Sequence, residues 1–141
     1  LGHKVTIIAG NFSHIRSKNV ELANNQQYMK QTIDGIDYIW CDTPKYSTNG
    51  IKRVINIFTF LFRVKKIARN LIENFNPDIV IASSTYPFDT KIAKNISRKT
   101  KAKFVYEVHD LWPLTPIELG GMSKYHPFIW LMQKAEDFGY T

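Results

Sequence analysis

The chain has 141 residues, of which 44% are hydrophobic and 22% are charged, and this composition excludes a disordered protein. Nineteen Lys and Arg against twelve Asp and Glu give a formal net charge of +7, which favours anionic partners such as nucleotide phosphates, lipid diphosphates or acidic headgroups. The single cysteine excludes an internal disulfide, and no apolar run approaches the roughly 18 residues needed to span a bilayer. We therefore expect one cytosolic domain with one hydrophobic core.

The first 50 residues predict two strands separated by a polar loop. Lys4–Gly10 is a short β-branched run, Asn11–Asn25 has no sustained hydrophobic period, and Ile36–Cys41 is a second strand. Cys41 ends this apolar strand, so we expect it to be a small buried hydrophobe. The segment Asp42–Gly50 has the Asp, Pro, Ser, Asn and Gly residues of a loop.

Ile51 to Phe75 predicts a long helix with one narrow polar stripe. The apolar surface around that stripe is wide, which predicts a core helix buried on more than one side. Basic residues around an aromatic-rich middle also suit a helix lying in an anionic membrane surface. On that alternative, the candidate membrane contacts are Lys52, Arg53, Arg63 and Lys66.

The second half of the chain alternates strands and helices. Asp78–Ala82 is a continuous apolar run, as expected for a strand covered on both faces. A basic helix from Phe88 to Thr100, a strand from Phe104 to Val108 and a last helix from near His126 follow. This alternation predicts the α/β class, with a doubly wound parallel sheet in a single domain over residues 1–141.

Two loops leave the carboxyl ends of strands that we expect to be neighbours, Ser83–Asp89 and His109–Gly121. Such loops line the ligand crevice of a parallel sheet, so their polar side chains are candidates for ligand binding. The strongest candidate is His109, because a neutral imidazole can donate or accept a hydrogen bond with a sugar hydroxyl or a phosphate. The other candidates in the first loop are Ser83, Ser84 and Thr85.

Each candidate in the second loop also has a structural interpretation. His109 could cap the strand end by bonding to the backbone, and Asp110 could form the turn that follows. Glu118, close to Gly120 and Gly121, suits either a carboxylate that faces an acceptor or an ordinary solvated side chain. The residues alone leave these alternatives open.

Several other kinds of site are disfavoured because their motifs are missing from these residues. The serines lack the Gly-x-Ser-x-Gly elbow of hydrolases, and the four histidines have no metal-ligand spacing. Neither a Walker loop nor Gly-x-Gly-x-x-Gly is present. The basic residues are not interleaved with aromatics, which argues against nucleic acid as a partner.

Four stretches of the sequence form a recognisable set: Leu1–Gly10, then Tyr46 with Asn49, Gly50 and Arg53, then Pro77–Asp89, and Phe104–Gly121. The last stretch contains the pieces Asp-Leu-Trp-Pro and Glu-Leu-Gly-Gly. Together these stretches resemble the amino-terminal domain of family 4 glycosyltransferases, most closely the bacterial fucosamine-type transferases of surface polysaccharide synthesis. The two pieces of the last stretch are fairly specific to this subgroup, whereas the Gly-His-Lys-Val-Thr opening is generic.

The resemblance implies a GT-B fold, in which two Rossmann-like domains enclose the active site. The amino-terminal domain shapes the acceptor side, the carboxyl-terminal domain binds the nucleotide sugar, and a histidine matching His109 reaches the transferred sugar. Ser83, Ser84, Thr85, Asp110, Glu118 and Gly120 would then bind substrate. The implied reaction is retaining transfer, without a metal or other cofactor, from a nucleotide sugar to a lipid-diphosphate-linked sugar or a saccharide at the cytoplasmic face of the membrane.

The same resemblance implies that this chain lacks the first and last strands of its domain, as well as the donor-binding domain. We therefore expect the 141 residues to be inactive alone. Two alternatives remain: a non-catalytic α/β module that binds a phosphorylated ligand, and a sugar-nucleotide epimerase of GT-B type.

Overall fold

The structure is a computed structural model, and it describes residues 2–47, 50–83 and 85–141. These residues form a mixed α/β protein, which confirms the class predicted from the sequence. A 3-10 turn, Pro87–Asp89, leads into the second helix. In chain order the elements are β1 (Thr6–Gly10), β2 (Tyr28–Ile33), β3 (Ile36–Cys41), α1 (Ile51–Phe75), β4 (Ile79–Ala82), α2 (Thr90–Thr100), β5 (Lys103–Tyr106), α3 (Leu114–Glu118) and α4 (Pro127–Tyr140).

The chain divides into two compact units, Leu1–Ile67 and Ala68–Thr141, and the division falls within α1. In the part of the chain that the structure describes, the strands form two small sheets. The first sheet has the order β1-β3-β2, and the second consists of β4 and β5. Each unit therefore contains its own sheet, and each is described by itself below.

The sheet of the first unit combines a parallel and an antiparallel pair. β1 runs parallel to β3, and β2 pairs with β3 as an antiparallel hairpin. The hairpin turn is the dipeptide Asp34-Gly35, with φ angles of 51° and 80°, and Ile33 pairs with Ile36 across it. Positive φ at both central residues is the geometry of the tight two-residue hairpin turn, which asparagine, aspartate and glycine favour. β2 is an element that the sequence analysis did not predict.

Helix α1 has the bounds that the sequence predicts, but its apolar surface is only partly buried. The buried apolar residues Ile57, Val64, Ala68 and Leu71 are spaced seven, four and three residues apart, which places them on one helix face. A second apolar stripe is exposed, so the expectation of burial on more than one side is wrong. This exposed stripe comprises Ile51, Ile55, Phe58 and Phe62.

The core of the first unit is built on β3. Ile39, Trp40 and Cys41 are buried, with Cys41 fully inaccessible. Burial raises the pKa of the Cys41 thiol to about 11, so the side chain is neutral at physiological pH. The prediction that Cys41 is a small buried hydrophobe is confirmed.

The second unit is organised around the parallel pair β4 and β5, with α2 as the crossover between them. α2 packs against both strands and against α4. Along β4, Ile79 and Ile81 are 54% and 58% exposed, whereas Ala82 is buried. Since alternate residues of a strand point to opposite faces, β4 is covered on one face, and the expectation that both faces are covered is wrong.

The helices of the second unit have identifiable ends. Lys101 takes a left-handed conformation, with φ of 59°, and its N–H donates to the carbonyl of Ser97 to end α2. α4 starts where the sequence predicts, because His126 Nδ1 accepts a hydrogen bond from the backbone N–H of Phe128 and Pro127 takes the first helical position. The short helix α3 lies within His109–Gly121, which the sequence predicts to be a loop. No helix among the described residues is long and apolar enough to cross a membrane.

Gly139 permits a close approach between α4 and β5, which gives a testable prediction. A Cβ at this position would lie 2.8 Å from Tyr106 Cε1 and 3.3 Å from Thr90 Cγ2. We expect Gly139→Ala to lower the free energy of unfolding by ~1–3 kcal/mol, as overpacking does. Urea unfolding followed by circular dichroism measures this change.

The control for this prediction is Lys134→Ala, at an exposed position of the same helix, which should be as stable as the wild type. Equal stability of the Gly139→Ala protein and the wild type would contradict the packing described for α4.

Candidate functional site

The parallel register of β4 and β5 brings two polar side chains together at the carboxyl edge of their sheet. Ala82, the last residue of β4, pairs with Tyr106, the last residue of β5. The next residues, Ser83 and Glu107, extend this pairing, since the N–H of Glu107 donates to the carbonyl of Ala82 over 2.9 Å. Parallel sheets bind their ligands at this edge.

Ser83, Glu107 and His109 form a hydrogen-bonded cluster, which we call the strand-end cluster. The Ser83 hydroxyl donates to Glu107 Oε2 over 2.5 Å, and Ser83 Oγ lies 3.0 Å from His109 Nε2. The same His109 nitrogen lies 3.2 Å from Glu107 Oε2. Glu107 and His109 keep 54% and 43% of their side-chain surface exposed, so a ligand in solution can reach the cluster.

The electrostatics of the strand-end cluster favour an ionised carboxylate. The hydrogen bond from Ser83 is the main influence that lowers the pKa of Glu107, and the charge of a protonated His109 lowers it further. A carboxylate with a lowered pKa is ionised throughout the neutral range. Glu107 therefore acts in the cluster as a hydrogen-bond acceptor.

The geometry of the strand-end cluster differs from that of a hydrolytic triad. In a Ser-His-acid triad the serine and the acid contact opposite nitrogens of the imidazole, so that the acid orients the ring while the other nitrogen takes the serine proton. Here both Ser83 and Glu107 contact His109 Nε2. The Ser83 proton is directed at the carboxylate, which suits ligand binding rather than activation of a serine nucleophile.

Of the other residues predicted for the first loop and the turn, those that the structure describes do not bond to the cluster through their side chains. Ser84 lies outside the described residues. Thr85 is exposed and Asp110 is half-buried, and neither side chain bonds to the cluster among the residues that the structure describes. The Asp110 carbonyl accepts a hydrogen bond from the N–H of Trp112, which fits the turn interpretation of this residue.

Glu118 and Gly120 lie at the carboxyl end of α3. Glu118 is exposed and is the last residue of that helix. At Gly120 a Cβ would lie 2.7 Å from the carbonyl oxygen of Pro116, a backbone atom that cannot rotate away. Gly120 thus has a structural role in the chain reversal after α3, apart from any contact with substrate.

The basic residues predicted for membrane or acceptor contact differ in their surroundings. Lys52 and Lys66 are exposed, and Lys66 Nζ lies 4.8 Å from the ring centroid of Phe62. Arg53 is half-buried. Arg63 donates to Asp42 Oδ2 over 2.9 Å, and only 19% of its side chain is exposed. Of these four residues, Lys52 and Lys66 are the ones that face outward.

The ion pair of Arg63 and Asp42 borders a polar surface depression of about 570 Å³ in the first unit. Arg63 Nε is buried and has no hydrogen-bond partner among the described residues. The remaining lining comes from residues 22–27, a segment rich in Asn and Gln. This depression could accept polar ligand groups, and no motif in the sequence indicated it.

Glu107 is the functional candidate that the sequence analysis missed. The signal for it was present, because residues two apart on an extended backbone share a face, which places Glu107 beside His109. What the sequence does not show is the strand register that adds Ser83. Groups of three or more His, Cys, Asp or Glu residues that could hold a metal ion are not found within the described part of the chain.

Removal of the Ser83 hydroxyl tests the strand-end cluster directly. We expect Ser83→Ala to raise the pKa of the Glu107 carboxyl towards its ordinary value, because the hydrogen bond from Ser83 is the main influence that lowers it. An NMR titration of the Glu107 carboxyl carbon measures this shift. Thr85→Ala is the matched control and leaves the titration unchanged. An unaltered Glu107 titration in Ser83→Ala would show that the hydrogen bond does not exist in solution.

Comparisons of the chain with models of protein families, with curated proteins and with solved structures found no match. The likeness to family 4 glycosyltransferases therefore stays a prediction that depends on the quoted residues. The strand-end cluster is the observation from which a function can be argued.

Proposed function

We propose that the chain is the acceptor-side part of a retaining glycosyltransferase, with a Rossmann-like, doubly wound sheet of GT-B type. The complete enzyme would transfer a sugar from a nucleotide sugar to a lipid-diphosphate-linked sugar or a saccharide during synthesis of a cell-surface polysaccharide. The observation that carries the proposal is the exposed strand-end cluster at the carboxyl edge of two parallel strands. This edge is where α/β sheets bind their ligands.

The chemistry of the strand-end cluster suits a polyhydroxylated ligand. A sugar offers many hydroxyls, each of which can both donate and accept a hydrogen bond. Ser83, Glu107 and His109 present a hydroxyl, a carboxylate and an imidazole within hydrogen-bond distance of one another. In the proposed enzyme His109 contacts the transferred sugar, and no metal or other cofactor takes part.

The helix α1 supports a second element of the proposal, peripheral contact with the cytoplasmic face of a membrane. Its exposed stripe contains two isoleucines and two phenylalanines, of which Ile55, Phe58 and Phe62 lie in the sequence between the outward-facing Lys52 and Lys66, while Ile51 directly precedes Lys52. An apolar face flanked by lysines binds at the boundary between acyl chains and anionic headgroups. A lipid-linked acceptor would be held in that same membrane.

The main test of the proposed function is sugar transfer by the complete enzyme. We expect His109→Ala to reduce kcat about 10²–10³-fold, the range observed when one preorganised hydrogen-bonding group is removed from an active site. Transfer of radiolabelled sugar from a panel of nucleotide sugars to a lipid-linked acceptor measures this rate. His3→Ala, at an exposed histidine, is the control and retains wild-type turnover.

Other results of this assay would overturn the proposal. Wild-type turnover by His109→Ala would remove His109 from the mechanism. An altered or hydrolysed sugar nucleotide formed without acceptor would indicate an epimerase. Ligand binding without turnover, by an enzyme whose spectra show a folded protein, would indicate a non-catalytic module.

Vesicle binding tests the membrane contact. We expect the double variant Lys52→Gln/Lys66→Gln to bind phosphatidylglycerol-containing vesicles about 30-fold more weakly, because each lysine near an anionic surface contributes ~1 kcal/mol. Co-sedimentation of the chain with vesicles measures the binding. The matched control, Lys124→Gln/Lys134→Gln, removes the same charge from exposed positions elsewhere and should bind as the wild type does. If both double variants lost vesicle binding equally, the binding would depend on net charge alone, and the proposed membrane contact of α1 would be contradicted.

A further inference from the structure

The hydrogen bonds of the strand-end cluster determine which ring nitrogen carries the proton when His109 is neutral. The Ser83 hydroxyl has one proton, which it donates to Glu107 Oε2. An ionised carboxylate accepts hydrogen bonds and donates none. His109 Nε2 therefore faces two acceptors, the Ser83 oxygen at 3.0 Å and the Glu107 oxygen at 3.2 Å.

A ring nitrogen that faces two acceptors is stabilised when it carries a proton. In the neutral imidazole one nitrogen has the proton and the other has a lone pair. A proton on His109 Nε2 consequently leaves Nδ1 as the nitrogen with the lone pair. Both contacts of the ring within the cluster are made through Nε2, so Nδ1 is the nitrogen with which His109 can accept a bond from a ligand.

We infer that Glu107 is a positioning residue that, together with Ser83, holds neutral His109 in its Nε2–H tautomer and so presents Nδ1 as a hydrogen-bond acceptor for a ligand hydroxyl. This inference rests on the proposed function for its ligand, which is a sugar. The lowered pKa of Glu107 agrees with it, since Glu107 is then an ionised acceptor at neutral pH.

The tautomer also selects among ligands. A sugar hydroxyl can donate its proton to an imidazole lone pair, whereas the oxygens of a fully ionised phosphate have no proton to donate. Neutral His109 in the Nε2–H form therefore favours a hydroxyl over a phosphate at Nδ1. The second nitrogen of a histidine commonly fixes the role of the first in this way.

The chain contains its own references for a spectroscopic test. His126 Nδ1 accepts a hydrogen bond from the backbone N–H of Phe128, over 3.1 Å, so neutral His126 also carries its proton on Nε2. His3 is exposed and represents a histidine in water. Long-range ¹H–¹⁵N NMR spectra report which ring nitrogen is protonated. They are recorded at pH ~8.5, about two units above the ordinary histidine pKa of ~6.5.

We expect the two ring nitrogens of His109 in the wild-type chain to have the shifts of His126. In Glu107→Ala the shifts should move towards those of His3, because a principal acceptor at Nε2 is lost. Thr85→Ala, the control, should leave them unchanged. A proton on Nδ1 in the wild type, shifts equal to those of His3, or no change in Glu107→Ala would each overturn the inference. The wild-type spectrum alone shows whether the proton is on Nε2 or Nδ1 of His109, even if the Glu107→Ala variant does not fold.

Two substitutions of His109 in the complete enzyme test the role of Nδ1. His109→Asn places an amide oxygen near the position of Nδ1, whereas His109→Gln places one near the position of Nε2. We expect His109→Asn to retain about tenfold more transfer activity than His109→Gln, the factor that corresponds to one hydrogen bond. Greater activity in His109→Gln would contradict the assignment of Nδ1.

The tautomer measurement and the sugar-transfer assay can fail independently, so they distinguish the role of Glu107 from the proposed function. An Nε2–H tautomer that depends on Glu107, in an enzyme that transfers no sugar, would refute the function and keep the positioning role. Sugar transfer that depends on His109, with a proton on Nδ1 of the free enzyme, would refute the positioning role and keep the function.

Discussion

The parallel pairing of β4 with β5 is the constraint on which the candidate site depends. Because Ala82 pairs with Tyr106, the following residues Ser83 and Glu107 are neighbours, and His109 lies beside them with its Nε2 3.2 Å from Glu107 Oε2. A shift of one residue in this register would place Ser83 on the opposite face of the sheet, and its hydrogen-bond contacts with Glu107 and His109 would be lost. Packing of α2 on one face of the two strands stabilises the register.

Each of the two units also has exposed apolar surface. In the first unit this surface is the stripe of α1 that includes Phe58 and Phe62, and in the second it is the face of β4 that carries Ile79 and Ile81. Contiguous apolar surface on a protein indicates contact with a partner or a membrane. The lysines beside the α1 stripe favour an anionic membrane there, which is compatible with an enzyme that acts on a lipid-linked acceptor.

The sequence predicted the elements whose signal is local, and it missed those that depend on pairing. α1 and the start of α4 were found because a 3.6-residue period, Asn76-Pro77 and His126-Pro127 mark them within the chain itself. β2 is a polar, exposed strand that is stabilised by its hairpin pairing with β3. The only local signal for it in the sequence is the Asp34-Gly35 turn. His109 and Ser83 were predicted from their positions after strands. Glu107 was missed although it lies only two residues from His109, and its contact with Ser83 depends on the strand register, which no local pattern contains.

The central claim is that a sugar contacts the strand-end cluster, and mapping that contact tests it most directly. The proposed complete enzyme would be irradiated with diazirine-bearing nucleotide sugars and acceptors, and the labelled peptides would be identified by mass spectrometry. The account predicts label in residues 83–89 or 107–113 that decreases in His109→Ala. Label confined to other parts of the chain, or label in these segments that is unaffected by His109→Ala, would contradict it.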